Sequence, residues 1–156
     1  MRLRRDLIAA AMLVGLAMTS PHVAHAAGDA CKLEITGNDL MQYDRKVLSV
    51  SSACTQVQLT LKHVGKLPKE AMGHNWVLVK AVDLNAVANA GMAAGLQNNY
   101  LAPGDKRVIA ATRVVGGGES ASVTFSTSGL RKGESYMYLC TYPGHNSSMR
   151  GTFNFG

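Results

Sequence analysis

Val57-Gln58-Leu59-Thr60-Leu61 alternates apolar and polar side chains at every residue. This period-two pattern marks a strand with one face in a core and the other in water. The same alternation recurs in Lys32-Leu33-Glu34-Ile35-Thr36, Val123-Thr124-Phe125 and Thr152-Phe153-Asn154-Phe155, and β-rich stretches at Val47 to Val50, Trp76 to Val79, Val108 to Thr112 and Tyr136 to Tyr142 fit further strands. Turn chemistry separates them: Gly37-Asn38, Lys66-Leu67-Pro68, Ala102-Pro103-Gly104-Asp105, Gly116-Gly117-Gly118 and Lys132-Gly133. About eight strands without alternating helices predict an all-β, antiparallel sandwich, two sheets burying their inward faces. One segment departs from the pattern. Leu84 to Leu96 holds five alanines, with Asp83 or Asn85 available as a cap, and predicts one short helix in a crossover connection, which Gly91 and Gly95 weaken.

The first residues belong to a different kind of segment. Arg2, Arg4 and Arg5 precede an apolar run from Leu7 to Met18, and Ala24-His25-Ala26 is a small-x-small cleavage site, so residues 1–26 are expected to be a secretory signal peptide. The apolar run is too short to cross a bilayer, and no later stretch has the roughly 18 uninterrupted apolar residues of a transmembrane helix. Residues 27–156 are then expected to form one soluble exported domain, long enough to bury about two-thirds of the unfolded chain's surface. Losing three Arg and one Asp lowers the formal net charge from +6 to +4. Its basic residues are scattered rather than clustered, which disfavours nucleic acid as a partner.

Three cysteines in an exported chain suggest one disulfide and one spare thiol. Cys31 and Cys54 stand near the ends of strand-like segments with no His or Met beside them, whereas Cys140 lies in Cys140-Thr141-Tyr142-Pro143-Gly144-His145-Asn146-Ser147-Ser148-Met149. The expected bridge is therefore Cys31 to Cys54, worth about 3 kcal/mol in the loop-entropy account. The run around Cys140 brings a thiolate, an imidazole and a thioether within ten residues. Thiolate and thioether select soft copper(I), and a trigonal His₂Cys set with a weak axial Met is the blue-copper arrangement. His74, in Met72-Gly73-His74-Asn75-Trp76, is the expected second imidazole. Each residue alone has an ordinary explanation, such as a Cys or Met filling a core. Together, in a small exported β-protein, they point to a metal site.

Over Ala27 to Gly156 the chain resembles the azurins, bacterial members of the cupredoxin family. The resemblance is carried by Met72-Gly73-His74-Asn75-Trp76-Val77-Leu78, Cys140-Thr141-Tyr142-Pro143-Gly144-His145 and Met149, with Gly37-Asn38-Asp39 and the Cys31/Cys54 pair in support. It implies an eight-stranded Greek-key sandwich and one copper ion held by His74, Cys140 and His145. Met149 and the Gly73 backbone carbonyl would be weak axial contacts. It also implies hydrogen bonds to the Cys140 sulfur from the backbone N–H groups of Asn75 and Tyr142, with the Asn75 side chain tying the two ligand loops. Met41, Leu67, Met72, Pro143 and Gly144 match an apolar rim for partner docking around an exposed edge of His145. The implied role is single-electron transfer in the periplasm, by a monomer, with c-type cytochromes and copper or quinoprotein oxidoreductases as partners.

Tyr142, Tyr138 and Leu139 stand where azurins often carry Phe, and Val64 follows His63 where Pro is common. Ligand identity is untouched by these changes; potential and polarity around the site are what they would alter. His63 is expected to be a hydrogen-bonded strand-end residue, and Trp76 a core residue without a relay role. Two rival functions use the same residues. A copper carrier or storage protein would release its metal quickly to an acceptor. A Cys140/His145 thiol hydrolase has no evident orienting acid and leaves His74 and Met149 unexplained, so no enzymatic activity is expected. Zinc also accepts His and Cys ligands.

Overall fold

The computed structural model describes residues 31–156; the expected signal peptide lies outside them. Nine strands are found among the described residues: β1 Lys32–Asn38, β2 Gln42–Tyr43, β3 Val47–Val50, β4 Gln56–His63, β5 Val77–Lys80, β6 Ala110–Ala111, β7 Ser120–Ser126, β8 Tyr136–Leu139 and β9 Arg150–Phe155. They form two sheets, ordered β2-β1-β4-β7 and β3-β9-β8-β5-β6. The one addition to the expected set, β2, and the shortened 108–112 segment, β6, are edge pieces of two residues each.

The alternation in β4 has its predicted consequence. Val57, Leu59 and Leu61 are buried while Gln56, Gln58 and Lys62 are exposed. The inward residues of one sheet, Ile35, Leu59 and Phe125, share a core with Leu48, Leu78, Tyr138 and Phe153 of the other. Trp76 sits in this core between Phe125 and Tyr138, ring centroids 6.1 Å away on each side. Its indole N–H is the one buried side-chain N/O group without a hydrogen-bond partner among the described residues. An orphaned donor of this kind costs about 1–3 kcal/mol.

Strand direction differs from the expectation. Most pairings are antiparallel, but β1 runs parallel to β4, Lys32 opposite Gln58 and Gly37 opposite His63, and β3 runs parallel to β9. Alternation reports which face is buried and is blind to the direction of the neighbouring strand, which depends on how the chain crosses between sheets. The disulfide joins Cys31, just before β1, to Cys54, just before β4, and so anchors the start of this parallel pair.

The crossover helix is present as α2, Leu84–Ala94, against β5 and β8. An additional single turn, α1 Lys69–Met72, follows Pro68 where only a turn was expected. Neither Asp83 nor Asn85 caps α2 through its side chain; the helix continues from a 3₁₀ turn at Ala81–Asp83, whose Ala81 carbonyl accepts the Leu84 N–H. Gly91 in α2 is required by packing, because a Cβ there would lie 2.3 Å from the Tyr100 carbonyl oxygen. That close approach puts the 99–100 segment beside the loop after β8.

Candidate metal centre

β8 ends at Leu139 and delivers Cys140 into the interior; Thr141 to Gly144 turn the chain, Gly144 at φ 80°, and return His145 beside it. Two backbone bonds close the loop. The His145 carbonyl accepts the Met149 N–H at 2.8 Å, and the Met149 carbonyl accepts the Cys140 N–H at 2.9 Å. His74 enters from the segment before β5, held by a two-way backbone bridge to Val115.

His74, Cys140 and His145 are all buried, and one donor atom from each lies within 4.8 Å of the others. The two Nδ1 atoms are 3.2 Å apart and the Cys140 Sγ is 3.8 Å from His145 Nδ1. Each of these two separations is short enough for an ion to bridge the pair with bonds of about 2.0 Å (N) and 2.3 Å (S). The tautomer of His74 is set by its partner. The Asn38 carbonyl can only accept, so the His74 Nε2–H donates to it at 2.9 Å and Nδ1 presents its lone pair to the centre. Burial, first of all, lowers both imidazoles to about 4, each also disfavoured as a cation by neighbouring histidines, while burial raises the Cys140 thiol to about 11. At neutral pH the metal-free centre is therefore uncharged, and a cation must displace one thiol proton to bind.

The surrounding bonds lock this arrangement. The Asn75 side chain donates to Thr141 Oγ1 at 2.7 Å and to the Asn99 carbonyl at 2.8 Å, and its Oδ1 accepts the Thr141 N–H at 2.9 Å. The backbone N–H groups of Asn75 and Tyr142 oppose the effect of burial on the Cys140 thiol and hold its pKa lower than burial alone would. Met149 is fully buried. Gly37 of β1 makes room on this side: a Cβ there would meet His74 Cδ2 at 2.8 Å and the Met149 methyl at 3.2 Å. His63 stacks on His74 with ring centroids 4.4 Å apart. Its Nδ1 accepts the Gly65 N–H and its Nε2–H donates to the Met72 carbonyl, so both ring nitrogens of this strand-end residue are bonded.

Of the rim residues, Met41, Leu67, Pro143 and Gly144 are exposed and Met72 is half-buried. Leu40, 71 % exposed, and Val64, 62 % exposed, extend the set of exposed apolar side chains beyond those named from the sequence. His145 itself is only 3 % exposed, less than its expected place at an open edge. Sequence reasoning also missed two supporting residues, Asn38 and Tyr43. The Tyr43 hydroxyl, buried beside the centre, donates to the Asn75 carbonyl. A tyrosine at an inward strand position, with a polar tip needing a partner, was the available signal.

Residues 29–155 match the family of copper-binding proteins described as plastocyanin/azurin. The chain belongs to that family. Among its relatives, azurin-1 of Alcaligenes xylosoxydans xylosoxydans is 54% identical over 121 residues, 78% of this chain and 94% of the relative. Azurin of Bordetella pertussis is 48% identical over 141 residues, 90% of this chain and 94% of that one. A solved azurin (Az-iso2) from the obligate methylotroph Methylomonas sp. strain J superposes with a TM-score of 0.78 at 48% identity, covering 81% of this chain and 98% of its own. The donor set is the one a copper-binding family needs: two imidazoles and a thiol that converge in the interior, with the buried thioether of Met149 in the same loop. Among the described residues no helix is long and apolar enough to cross a membrane.

Proposed function

We propose that the protein carries single electrons in the periplasm, using one type 1 copper ion per chain held by His74, Cys140 and His145, with Met149 and the Gly73 carbonyl as weak axial contacts. One observation carries this reading: two imidazole Nδ1 atoms and one cysteine sulfur converge within 4.8 Å, buried, on a frame whose hydrogen bonds are already made by the protein itself. Copper supplies a reversible one-electron couple when bound there. Everything else is done by the chain. Asn38 aims His74, Asn75 ties the His74 segment to the Cys140 loop, and Cys140 and Met149 are joined through the backbone. A frame so fixed cannot follow the different shapes the two oxidation states prefer, which keeps reorganisation small. The arrangement turns over no substrate.

Met41, Leu67, Met72, Pro143 and Gly144, with Leu40 and Val64, offer an apolar surface for brief, weakly specific contacts with redox proteins such as c-type cytochromes and copper or quinoprotein oxidoreductases. The leader at residues 1–26 supports export to the compartment where those partners work, and the chain acts there as a monomer.

Adding copper(II) to the metal-free protein should produce an intense blue thiolate-to-copper band and reversible one-electron voltammetry. Cys140→Ser, which removes the thiolate while keeping a similar size, should abolish the band even where copper is retained. A blue serine variant would overturn the assignment, and rapid loss of copper to an acceptor chelator would favour a carrier instead.

A further inference from the structure

His74, Cys140 and His145 are all buried, so an ion reaches their donor atoms only when one of the two segments that carry them moves. The Cys140 loop is tied at both ends. At its start, Thr141 bonds twice to the Asn75 side chain and donates its own hydroxyl to the Tyr100 carbonyl at 2.6 Å. At its end, the Ser148 hydroxyl donates to the Met41 carbonyl and the Ser148 carbonyl accepts from the Lys46 ammonium. Between these ties lies the tip, where Pro143 and Gly144 are exposed and the Ser147 hydroxyl bonds back to Gly144 within the loop. The tip reaches the His74 segment through Tyr142.

The partner of Tyr142 follows from how the chain enters the site. α1 is a single turn, and the last carbonyls of a turn have no acceptor role inside it. A longer helix would bring Glu70 the His74 N–H, four residues on, but that N–H donates to the Val115 carbonyl at 3.0 Å. The Glu70 carbonyl is left for a donor from another segment, and the Tyr142 hydroxyl takes the place at 2.6 Å. The Tyr142 ring lies along the same path. A Cβ at Gly73 would meet its Cε2 at 3.0 Å, and its centroid is 4.6 Å from that of His145. One side chain thus touches both ligand segments, the 70–73 approach to His74 and the His145 imidazole.

We propose that the Tyr142 hydroxyl is the latch that holds the loop tip against α1, and that breaking its bond to the Glu70 carbonyl is the opening through which a metal ion enters and leaves. Opening the tip costs the Tyr142 bond and its ring contacts, whereas opening at Thr141 breaks three hydrogen bonds and at Ser148 two. The tip is the weakest point of the wall. A local opening of this kind occurs with or without the ion, so it sets the rates of uptake and release by the same factor and leaves affinity alone. Tyr142 is a positioning residue, not a ligand. A latch that keeps the ion in place between encounters suits an electron carrier, and the inference rests on that reading.

The experiment compares the parent protein with Tyr142→Phe, which keeps the ring and removes only the hydroxyl. Uptake is followed by stopped flow after adding copper(II) to metal-free protein, and release by transfer of copper(II) to excess ethylenediaminetetraacetate. Both rates should rise together by about threefold to tenfold, the range set by the net contribution of one ordinary hydrogen bond, with the blue band in place. In the metal-free protein, amide hydrogen exchange at His145 should quicken by a larger factor than at Leu59 in β4. Rates and exchange equal to the parent's overturn the proposal, and so does a change in one direction only, which would mean that the hydroxyl shapes the site instead of gating it. A parent without a blue band would instead fail the electron-carrier reading, and the amide exchange, which needs no metal, still judges the latch. Should the phenylalanine chain fail to fold, 3-fluorotyrosine placed at position 142, a better donor of nearly the same size, decides the question: it should slow both rates, and unchanged or faster exchange overturns the proposal.

Discussion

Met149 can be changed without dismantling the centre, because the bonds it gives to the frame are made by its backbone, N–H to His145 and carbonyl to Cys140. Its buried side chain is therefore a separable variable. An oxygen donor favours copper(II) over copper(I), so Met149→Gln should lower the potential; Met149→Leu offers no axial donor and keeps water out, so it should raise it. Both variants should stay blue, and a tenfold change in equilibrium constant is read by voltammetry as about 59 mV. Unchanged potentials in both would make Met149 packing alone. Cys140, His145 and Met149 could be picked out from the sequence because one loop carries them within ten residues. Asn38 and Tyr43 could not, since Asn38 accepts through its own backbone carbonyl from a residue 36 positions away and Tyr43 donates to a carbonyl 32 positions away, and a carbonyl acceptor leaves no mark on composition or spacing.

The strands and the helix show the same division between local and distant information. Alternation placed β4 correctly to the residue on its two faces, yet the parallel pairing of β1 with β4 depends on chain crossing that no local pattern records. α2 adds a case in which local propensity gives the wrong sign. Replacing Gly by Ala inside a helix ordinarily stabilises by about 1 kcal/mol. At Gly91 the new methyl would lie 2.3 Å from the Tyr100 carbonyl oxygen and 3.0 Å from the Thr141 side chain, and neither is a flexible chain end. Overpacking of that kind costs about 1–3 kcal/mol, so Gly91→Ala should be net destabilising by urea denaturation. The strain should also reach the centre, because Thr141 and the neighbouring Asn99 carbonyl both bond to the Asn75 side chain. A small shift of the blue band would accompany the lost stability; a variant more stable than the parent would mean that the Tyr100 segment yields without cost.

Taken as one body, the protein encloses three uncharged ionisable groups at the site, and its stability must depend on pH through them. The two imidazoles are lowered from 6.5 to about 4 by burial, so as pH falls below 6.5 the unfolded chain takes up protons that the folded chain refuses. Stability from His74 and His145 is thus present above 6.5 and lost progressively as pH falls toward 4. Cys140 acts in the opposite direction: raised from 9.0 to about 11, it keeps its proton where the unfolded chain gives it up, so its contribution is present below 9 and lost as pH rises toward 11. The site's contribution to metal-free stability should therefore be flat between about pH 6.5 and 9 and fall on both sides, and His74→Ala or Cys140→Ala should each shallow its own side only. Copper changes the balance by exchanging itself for the thiol proton. Between the histidine and thiol values, from about pH 5 to 10, one proton should be released per ion, and affinity should rise tenfold per pH unit. A pH-stat titration of metal-free protein with copper(I) measures this directly: release near zero at neutral pH would mean that Cys140 is already a thiolate in the empty fold, and the neutral centre described above would be wrong.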